Sequence, residues 1–371
     1  MIAFLFLGEM LLIPHLYPIV EAVAAEAPGL RIDCWCATSV HENLLLKWLG
    51  AAGRQGRVRV RRAPGFVDRP ELDFGQNPQL PAKLPMLARL VPHLLRAKVV
   101  VCAEQTSLWI PTLLPFFPAR FVKTSHGVGS ISARDDRRRR AAYRMLLPSE
   151  REKATYTSRH YPDEKLVITG YVKSTFRPAA PRSALFPDDK PVVVYTPHWQ
   201  HHRSSWWAWG SQIVAMLVAQ DKWNVILAPH QRLSERDPEV VRVIQEAGKL
   251  PHVHADHDSF SMVDGTYMAA ADIYLGDTSS QIMEFLARPR PCVFLNPQRL
   301  DWAATDDHDF WRTGEVVNAL ADVLPALYRA IERHDDYVAE QCEIATSALG
   351  DTSGTAALTA ARAVLAAVRH G

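Results

Sequence analysis

Short runs of β-branched and apolar residues recur along this chain, separated by helix-length segments of mixed polarity. Over the first half they read "IAFLFLG", "RIDCWCATS", "RVRVRRAP", "KVVVCAEQT", "RFVKTSHG", "RMLLPSE" and "KLVITG". Strands separated by helices predict parallel βα units rather than a sandwich. The opening "MIAFLFLGEMLLIPHLYPIV" is apolar enough to raise the question of a signal or an anchor. It has no basic leader, however, and Gly8, Glu9, Pro14 and His15 interrupt it, so the pattern predicts a buried strand and then a helix.

Near residue 176 the alternation stops. "FRPAAPRSALFPDDKP" places four prolines ahead of the next apolar run, which predicts a linker over 177–190. The rhythm restarts with "VVVYTPHW", a Trp-rich helix from about Ser204, "WNVILAPH", a helix from about Glu235, "HVHADHDSF", "ADIYLGD" and "RPCVFLNP". The expected organisation is α/β: a Rossmann-like domain over 1–176, the linker, and a second Rossmann-like domain over 191–350. A last helix over 351–371, capped by "DTSG" and rich in Ala and Leu at helical spacing, should pack on the body. Open parallel sheets bind ligands beyond the carboxyl ends of their strands, so two such sheets predict an interdomain cleft.

Composition sharpens this picture in a few places. With 371 residues, 48% of them hydrophobic, the chain is long enough for two cores, and the composition argues against disorder. A net charge of +2 is too small to announce a nucleic-acid binder and leaves room for a local patch facing an anionic ligand. The five cysteines show no CxxC spacing and mostly sit in apolar runs, as small core residues do in a reducing cytoplasm.

The candidate chemistry lies at strand ends. In "YLGDTSSQIMEF" an Asp277, Thr278, Ser279, Ser280 turn precedes a short helix, with Glu284 on nearly the same face as Ser280. Such a turn either caps the helix or supplies amides and hydroxyls to a diphosphate, with the carboxylate of Glu284 left to accept from ribose hydroxyls. In "VKTSHGVGS" the strand is expected to end at His126, with Gly127 and Gly129 turning the backbone sharply. A histidine there is either a general base toward an acceptor hydroxyl or a satisfied structural ring. "ILAPHQR" places His230 at a strand mouth, as an imidazolium or a neutral donor toward a departing phosphate, or as a plain loop residue. His198 in "TPHW" stands at another strand end. His252, His254 and His257 match no standard zinc spacing, so no metal site is assigned. "ARDDRRRRAAYR", with six arginines, is either a solvated helix face or a patch for an anionic acceptor or lipid headgroup.

Taken in order, these pieces resemble the CDP-glycerol glycerophosphotransferase family, the teichoic-acid polymerases and primases of the GT-B superfamily. The resemblance rests on "SHG", "LVITGYVKSTF", "VVVYTPHW", "LAPH" and "ADIYLGDTSSQIMEFLARPRPCVFLNP" and covers about residues 120 to 300. It implies a GT-B fold, His126 as base, His230 as partner of the transferred phosphate, and Thr278, Ser279 and Ser280 as the diphosphate cradle. The chain departs from the family pattern at Ser125, His198, Thr278 and Glu284. The final helix also resembles that of non-hydrolysing UDP-N-acetylglucosamine 2-epimerases, which use a glutamate at the position of Glu284 for ribose. The arginine and the His-Val-Glu-Ala-Gly segment of those epimerases are absent.

The function expected from the sequence is a metal-independent transferase, without a cofactor, that takes a CDP- or UDP-linked donor. It would move a glycerophosphate or glycosyl group to a hydroxyl of a cell-surface glycan or polyol-phosphate precursor, lipid-linked acceptors included. A nucleotide-sugar glycosyltransferase and a non-catalytic nucleotide-binding module are the alternatives. The expected location is the cytoplasm, with peripheral contact at the inner face of the membrane left open by the arginine run.

Overall fold

The computed structural model describes residues 1–50, 56–73, 75–128, 135–176, 180–304 and 306–369. It divides into two compact units, Met1–Arg177 with Ser347–Gly371, and Pro178–Thr346.

The first unit runs β1 (Ile2–Phe6), α1 (Ile13–Glu26), β2 (Ile32–Thr38), α2 (Ser39–Leu49), β3 (Val58–Val67), α3 (Lys83–Leu94), β4 (Val99–Cys102), α4 (Trp109–Leu113), β5 (Arg120–Thr124), α5 (Arg137–Arg140), β6 (Arg144–Leu147), α6 (Glu150–Ser158) and β7 (Leu166–Ile168). The second runs β8 (Val192–Thr196), α7 (Trp206–Val218), β9 (Asn224–Leu227), α8 (Gln231–Arg236), α9 (Pro238–Ala247), β10 (Val253–Ala255), α10 (Thr266–Ala270), β11 (Ile273–Gly276), α11 (Gln281–Leu286), β12 (Cys292–Leu295), β13 (Glu315–Val317), α12 (Val323–Glu332) and α13 (His334–Leu349). The final helix, α14 (Ala356–Arg369), belongs to the first unit and lies against α1.

Both sheets are parallel throughout, seven strands ordered β3-β2-β1-β4-β5-β6-β7 and six ordered β10-β9-β8-β11-β12-β13. The order reverses between β1 and β4 in one sheet and between β8 and β11 in the other. Crevices open at such reversals because the flanking connections leave in opposite directions. The central strands are the most apolar, β1, β2, β4 and β8 being buried at every position, as parallel strands covered on both faces are, whereas the edge strand β3, "VRVRRAPGFV", is largely half-buried. Helices cover those faces with apolar stripes: Met86, Leu87, Leu90 and Leu94 of α3 in the first unit, Val240, Ile244 and Ala247 of α9 in the second. Local signals set the helix ends. Asp237 accepts from the Glu239 amide at 3.0 Å just before Pro238 at the first helical position.

Two features escaped the sequence pattern. β13 is only "EVV" and ties into the sheet beside β12, with Glu315 buried under Arg329 at 3.0 Å. Gln341 of α13 is fully buried, accepting from the Arg290 amide at 3.0 Å and donating to the carbonyls of Arg290 (2.9 Å) and Thr313 (2.7 Å). This one side chain stitches α13 to the entries of β12 and β13.

Two expectations need correction. β5 ends at Thr124 rather than His126: the Ser125 amide makes a last bond to the Leu146 carbonyl at 3.0 Å, and its hydroxyl donates to Glu152 at 2.7 Å. Much of the arginine run is committed internally: Arg138 pairs with Asp136 at 2.8 Å, Arg140 with Asp135 at 2.9 Å, and Arg139 is buried against the Tyr156 hydroxyl. No helix of the described residues is long and apolar enough to cross a membrane.

Gly350 follows α13 with φ of +67°, and a Cβ there would lie 2.1 Å from the Pro148 carbonyl oxygen. Both the left-handed backbone and the close approach require glycine. Gly350→Ala is expected to cost about 2–4 kcal/mol, read as a lower urea midpoint with an unchanged m value.

Candidate functional site

The carboxyl edge of the second sheet gathers most of the polar residues singled out by the sequence. Asp277 follows β11 and is about 1% exposed. Its Oδ2 accepts from the backbone amides of His198 (2.8 Å) and Ser205 (2.9 Å), so β11 holds the loop that leaves the neighbouring β8. Burial pushes this carboxyl up to about 7, against the lowering effect of the two amide bonds. Asp277 is thus a brace for the site rather than a group offered to a ligand.

That brace aims two histidines. The Nδ1 of His198 accepts from the Gln200 amide at 3.1 Å, and the Nδ1 of His230 accepts from the Arg232 amide at 3.2 Å, capping α8. Each ring therefore carries its proton on Nε2 when neutral. Both are neutral near pH 7: burial first, then Arg203 and His202, lowers His198 to about 4, and burial first, then His198 and Arg232, lowers His230 to about 3. Of the two forms open to His230 in the sequence, this geometry favours the neutral Nε2–H donor. The rings meet edge to face with centroids 5.7 Å apart.

Trp199 stacks on His198, and the guanidinium groups of Arg232 and Arg236 lie 5.0 Å and 4.5 Å from its ring centroid. This basic, aromatic shoulder was missed in the sequence. Its signal was the four-residue spacing of the two arginines in "QRLSER", which places them on one helical face.

The turn itself is divided in its use. Thr278 is buried, Ser279 is half-buried with its hydroxyl accepting from the Gln281 amide at 3.3 Å, and Ser280 is exposed. Capping and ligand contact thus compete for Ser279, whereas Ser280 is open to solvent. One turn further on, Glu284 and Gln281 line a small open recess with Thr196, Ala228, Met262 and Tyr267. The recess lies at the β8/β11 reversal, where the topology calls for one. Gly265, with φ of +97°, starts α10 on its wall.

The histidines of "HVHADH" separate. His252 bonds the Val218 carbonyl at 3.1 Å, His254 the Tyr267 hydroxyl at 3.0 Å, and His257 stands 3.5 Å from Asp258. Ligand-type atoms of Asp256, His257 and Asp258 lie within 4.8 Å of one another, but Asp256 is taken up by the Ser259 amide (3.0 Å) and by the hydroxyls of Ser259 and Tyr267. That network organises the β10–α10 loop.

In the first unit, His126 and Gly127 are half-buried just past β5, at the carboxyl edge of their own sheet, and Gly129 lies outside the described residues. At the β1/β4 reversal a second small recess is lined mainly by Leu5, Phe6, Leu12, Ile13 and Leu16, with His41 and Glu104. Its polar groups are committed to one another. Glu104 holds Lys83 at 3.0 Å and Ser107 at 2.6 Å, while His41 bonds the Gly8 carbonyl and the Thr38 hydroxyl, both at 2.8 Å.

No family model matches the chain, and no curated protein matches it. Solved structures do. The wall teichoic acid polymerase TagF aligns over 100% of this chain and 89% of its own, with TM-score 0.66 and 13% identity. A putative UDP-N-acetylglucosamine 2-epimerase from Listeria monocytogenes aligns over 99% and 95%, with TM-score 0.64 and 12% identity. S. aureus MnaA in its UDP co-structure aligns over 96% and 93%, with TM-score 0.61 and 14% identity. At such identities the likeness establishes architecture, and the architecture is the GT-B-like fold of two parallel-sheet α/β domains.

Proposed function

We propose that the chain is a GT-B transferase that takes a nucleotide diphosphate-linked donor and moves a glycerophosphate or glycosyl group to a hydroxyl acceptor. The observation that carries this reading is the recess at the β8/β11 reversal, where Glu284 stands one turn beyond the Ser279–Ser280 turn. A carboxylate at that distance suits the two ribose hydroxyls, and the turn suits the diphosphate. The ligands named in similar structures support the choice: one TagF structure followed a soak with CDPG, and an epimerase from Neisseria meningitidis was bound to UDP-GlcNAc.

In this proposal His126 takes the proton of the acceptor hydroxyl as its oxygen attacks the transferred group. The bond to the nucleotide's phosphate oxygen breaks, and the charge left there is met by the Thr278–Ser280 turn and by the Nε2–H of His230. Asp277 and His198 hold this frame. Fixed donors of this kind meet the charge without a resident metal or cofactor. For a CDP-glycerol donor the attacked atom is phosphorus and CMP leaves; for a sugar nucleotide it is the anomeric carbon and the nucleoside diphosphate leaves. The acceptor is proposed to be a glycan or polyol phosphate of a cell-surface polymer, by analogy with the polymerase among the similar structures.

A thermal-shift panel of CDP, UDP, GDP, ADP and CMP tests the donor site. Saturation at a hundred times Kd raises stability by about 2.7 kcal/mol, and the base that does so names the donor. Ser279→Ala with Ser280→Ala, and separately Glu284→Ala, should each weaken that nucleotide about tenfold. His126→Ala should leave its binding intact and abolish transfer from the matching donor. A panel in which no nucleotide raises the melting temperature refutes the donor-site assignment.

A further inference from the structure

The carboxyl edge of the first sheet is where chemistry is expected, but its amino edge has a composition of its own. Nearly every strand of that sheet enters on a cation. Arg57 precedes β3, Arg31 precedes β2, Lys98 precedes β4, Arg120 opens β5, Arg144 opens β6 and Lys165 precedes β7, leaving β1 to begin at Met1. The ladder fixes these positions side by side: Ile32 N bonds Arg57 O, Ile2 N bonds Arg31 O, Lys98 N bonds Met1 O and Arg120 N bonds Lys98 O, all at 2.8–3.0 Å. Because every strand is parallel, the row lies along one edge. Arg96 and Arg369 are exposed nearby, the end of α14 being held to this edge by Arg120 on the Ala367 carbonyl at 2.9 Å.

Among the described residues the connections that enter this edge carry few carboxylates, and Glu26, at the end of α1 ahead of β2, is paired with Arg362 at 3.2 Å. Asp33 is buried between Arg31 and Arg61 at 3.9 Å and 3.8 Å, and Asp163 is paired with Lys153 at 2.7 Å, which leaves Glu164 as the exposed acid beside Lys165. Arg57 is oriented by the Pro28 carbonyl at 2.9 Å, a contact that does not cancel its charge.

The second observation is apolar. Of the nine large hydrophobic side chains exposed among the described residues, four belong to the connections that enter this edge: Leu95 (53% exposed) before β4, and Leu113 (66%), Leu114 (44%) and Phe116 (98%) before β5. Phe116 stands between Pro115 and Pro118, whose fixed φ stiffens the loop, while its neighbour Phe117 turns inward onto Phe121 with centroids 6.0 Å apart. A water-exposed aromatic at a stiff loop tip, set among leucines, calls for an occupant.

We propose that this edge docks the chain onto an anionic lipid bilayer, with Phe116, Leu113, Leu114 and Leu95 entering the interface and the row of cations meeting the headgroups. Protruding apolar tips within a basic rim suit a bilayer, which takes up isolated side chains without a complementary pocket and concentrates negative charge at its surface. A nucleic acid or soluble polyanion would use the cations and leave the apolar tips without purpose. The inference stands apart from the nucleotide reading, since it concerns the opposite edge of the other unit's sheet.

Co-sedimentation of the full chain with vesicles tests it. Vesicles of phosphatidylglycerol with phosphatidylcholine should retain the chain at low salt and release it at high salt, while phosphatidylcholine alone should retain it weakly. Leu113→Ser with Phe116→Ser should lower retention at least about tenfold. Arg96→Gln with Lys98→Gln should lower it by about fivefold per charge. Circular dichroism and thermal melting of the variants check that they remain folded. No retention on phosphatidylglycerol vesicles overturns the proposal. So does a serine double variant that binds like the parent, and if polyphosphate then displaces both, the edge is a polyanion site instead.

Discussion

Asp277→Ala is expected to lower stability by about 3–5 kcal/mol and to remove nucleotide binding together with it. The carboxylate serves two backbone amides, those of His198 and Ser205, in a place water does not reach. Alanine leaves both amides buried and unmet. It also frees the loop that carries His198 and Trp199, so the shoulder beside His230 loses its anchor. Asp277→Asn keeps an acceptor in place and separates the two roles. With its carboxyl at about 7 when folded and near the ordinary carboxylate value when unfolded, Asp277 takes up a proton preferentially in the folded state. Its contribution is present in full below pH 4 and is lost as pH rises toward 7, a loss on the order of 4 kcal/mol in the limit of no relaxation. Asparagine abolishes that dependence, so the asparagine variant should gain on the parent as pH rises from 4 to 7. Urea titrations followed by tryptophan fluorescence read both effects, and a parent-to-asparagine difference that stays constant over that range would rule out the buried carboxyl as described.

The other large effect runs in the opposite direction. His41, His198 and His230 are held neutral by burial, at about 4, 4 and 3. Unfolding returns each to its ordinary value near neutrality, so the unfolded chain binds more protons in mildly acidic solution. Their stabilisation is complete above about pH 6.5 and drains away as pH falls through 4. His41 is the firmest case, being fully buried with both ring nitrogens engaged, and it alone accounts for about 3 kcal/mol. His198 and His230 keep part of their surface in water and contribute less. The sum exceeds the opposing slope from Asp277, so the melting temperature should fall steadily from pH 6.5 to pH 4. His41→Gln should flatten that fall measurably at a cost in stability at pH 7. A melting temperature that is level between those pH values would mean that the rings are solvated or already charged.

The central strands were legible because a parallel strand covered on both faces needs apolar residues along its length, and runs such as "VVVYT" or "VVVC" announce this without help from neighbours. The unseen β13 shows the limit. Three residues with a glutamate among them carry no pattern, and the burial is tolerable because Arg329, Arg333 and the Tyr337 hydroxyl all meet Glu315. At the site, residue types at strand ends come together along one edge of the second sheet, since topology places all carboxyl ends together. What they do there depended on partners far away in sequence. The role of Asp277 rests on amides 79 and 72 positions before it, and Arg139 disappears into the core through Tyr156. Charge counting along "RRRR" could not reveal that. The tautomers of His198 and His230 were equally hidden, because the amide that fixes each depends on how the following turn folds.

The packing of α14 on α1 gives synthesis of this protein a direction. The ribosome delivers the Ile13–Glu26 helix early, yet the Ala356–Arg369 segment that packs on it, itself buried at Ala357, Ala360, Ala361 and Val364, is translated only after the whole second unit. During that interval the nascent chain carries an uncovered apolar stripe, a period of exposure to chaperones and to aggregation. The second unit, continuous in sequence, is free to fold while the first is still waiting, and emergence of the Ala356–Arg369 segment becomes the event that closes the amino-terminal unit.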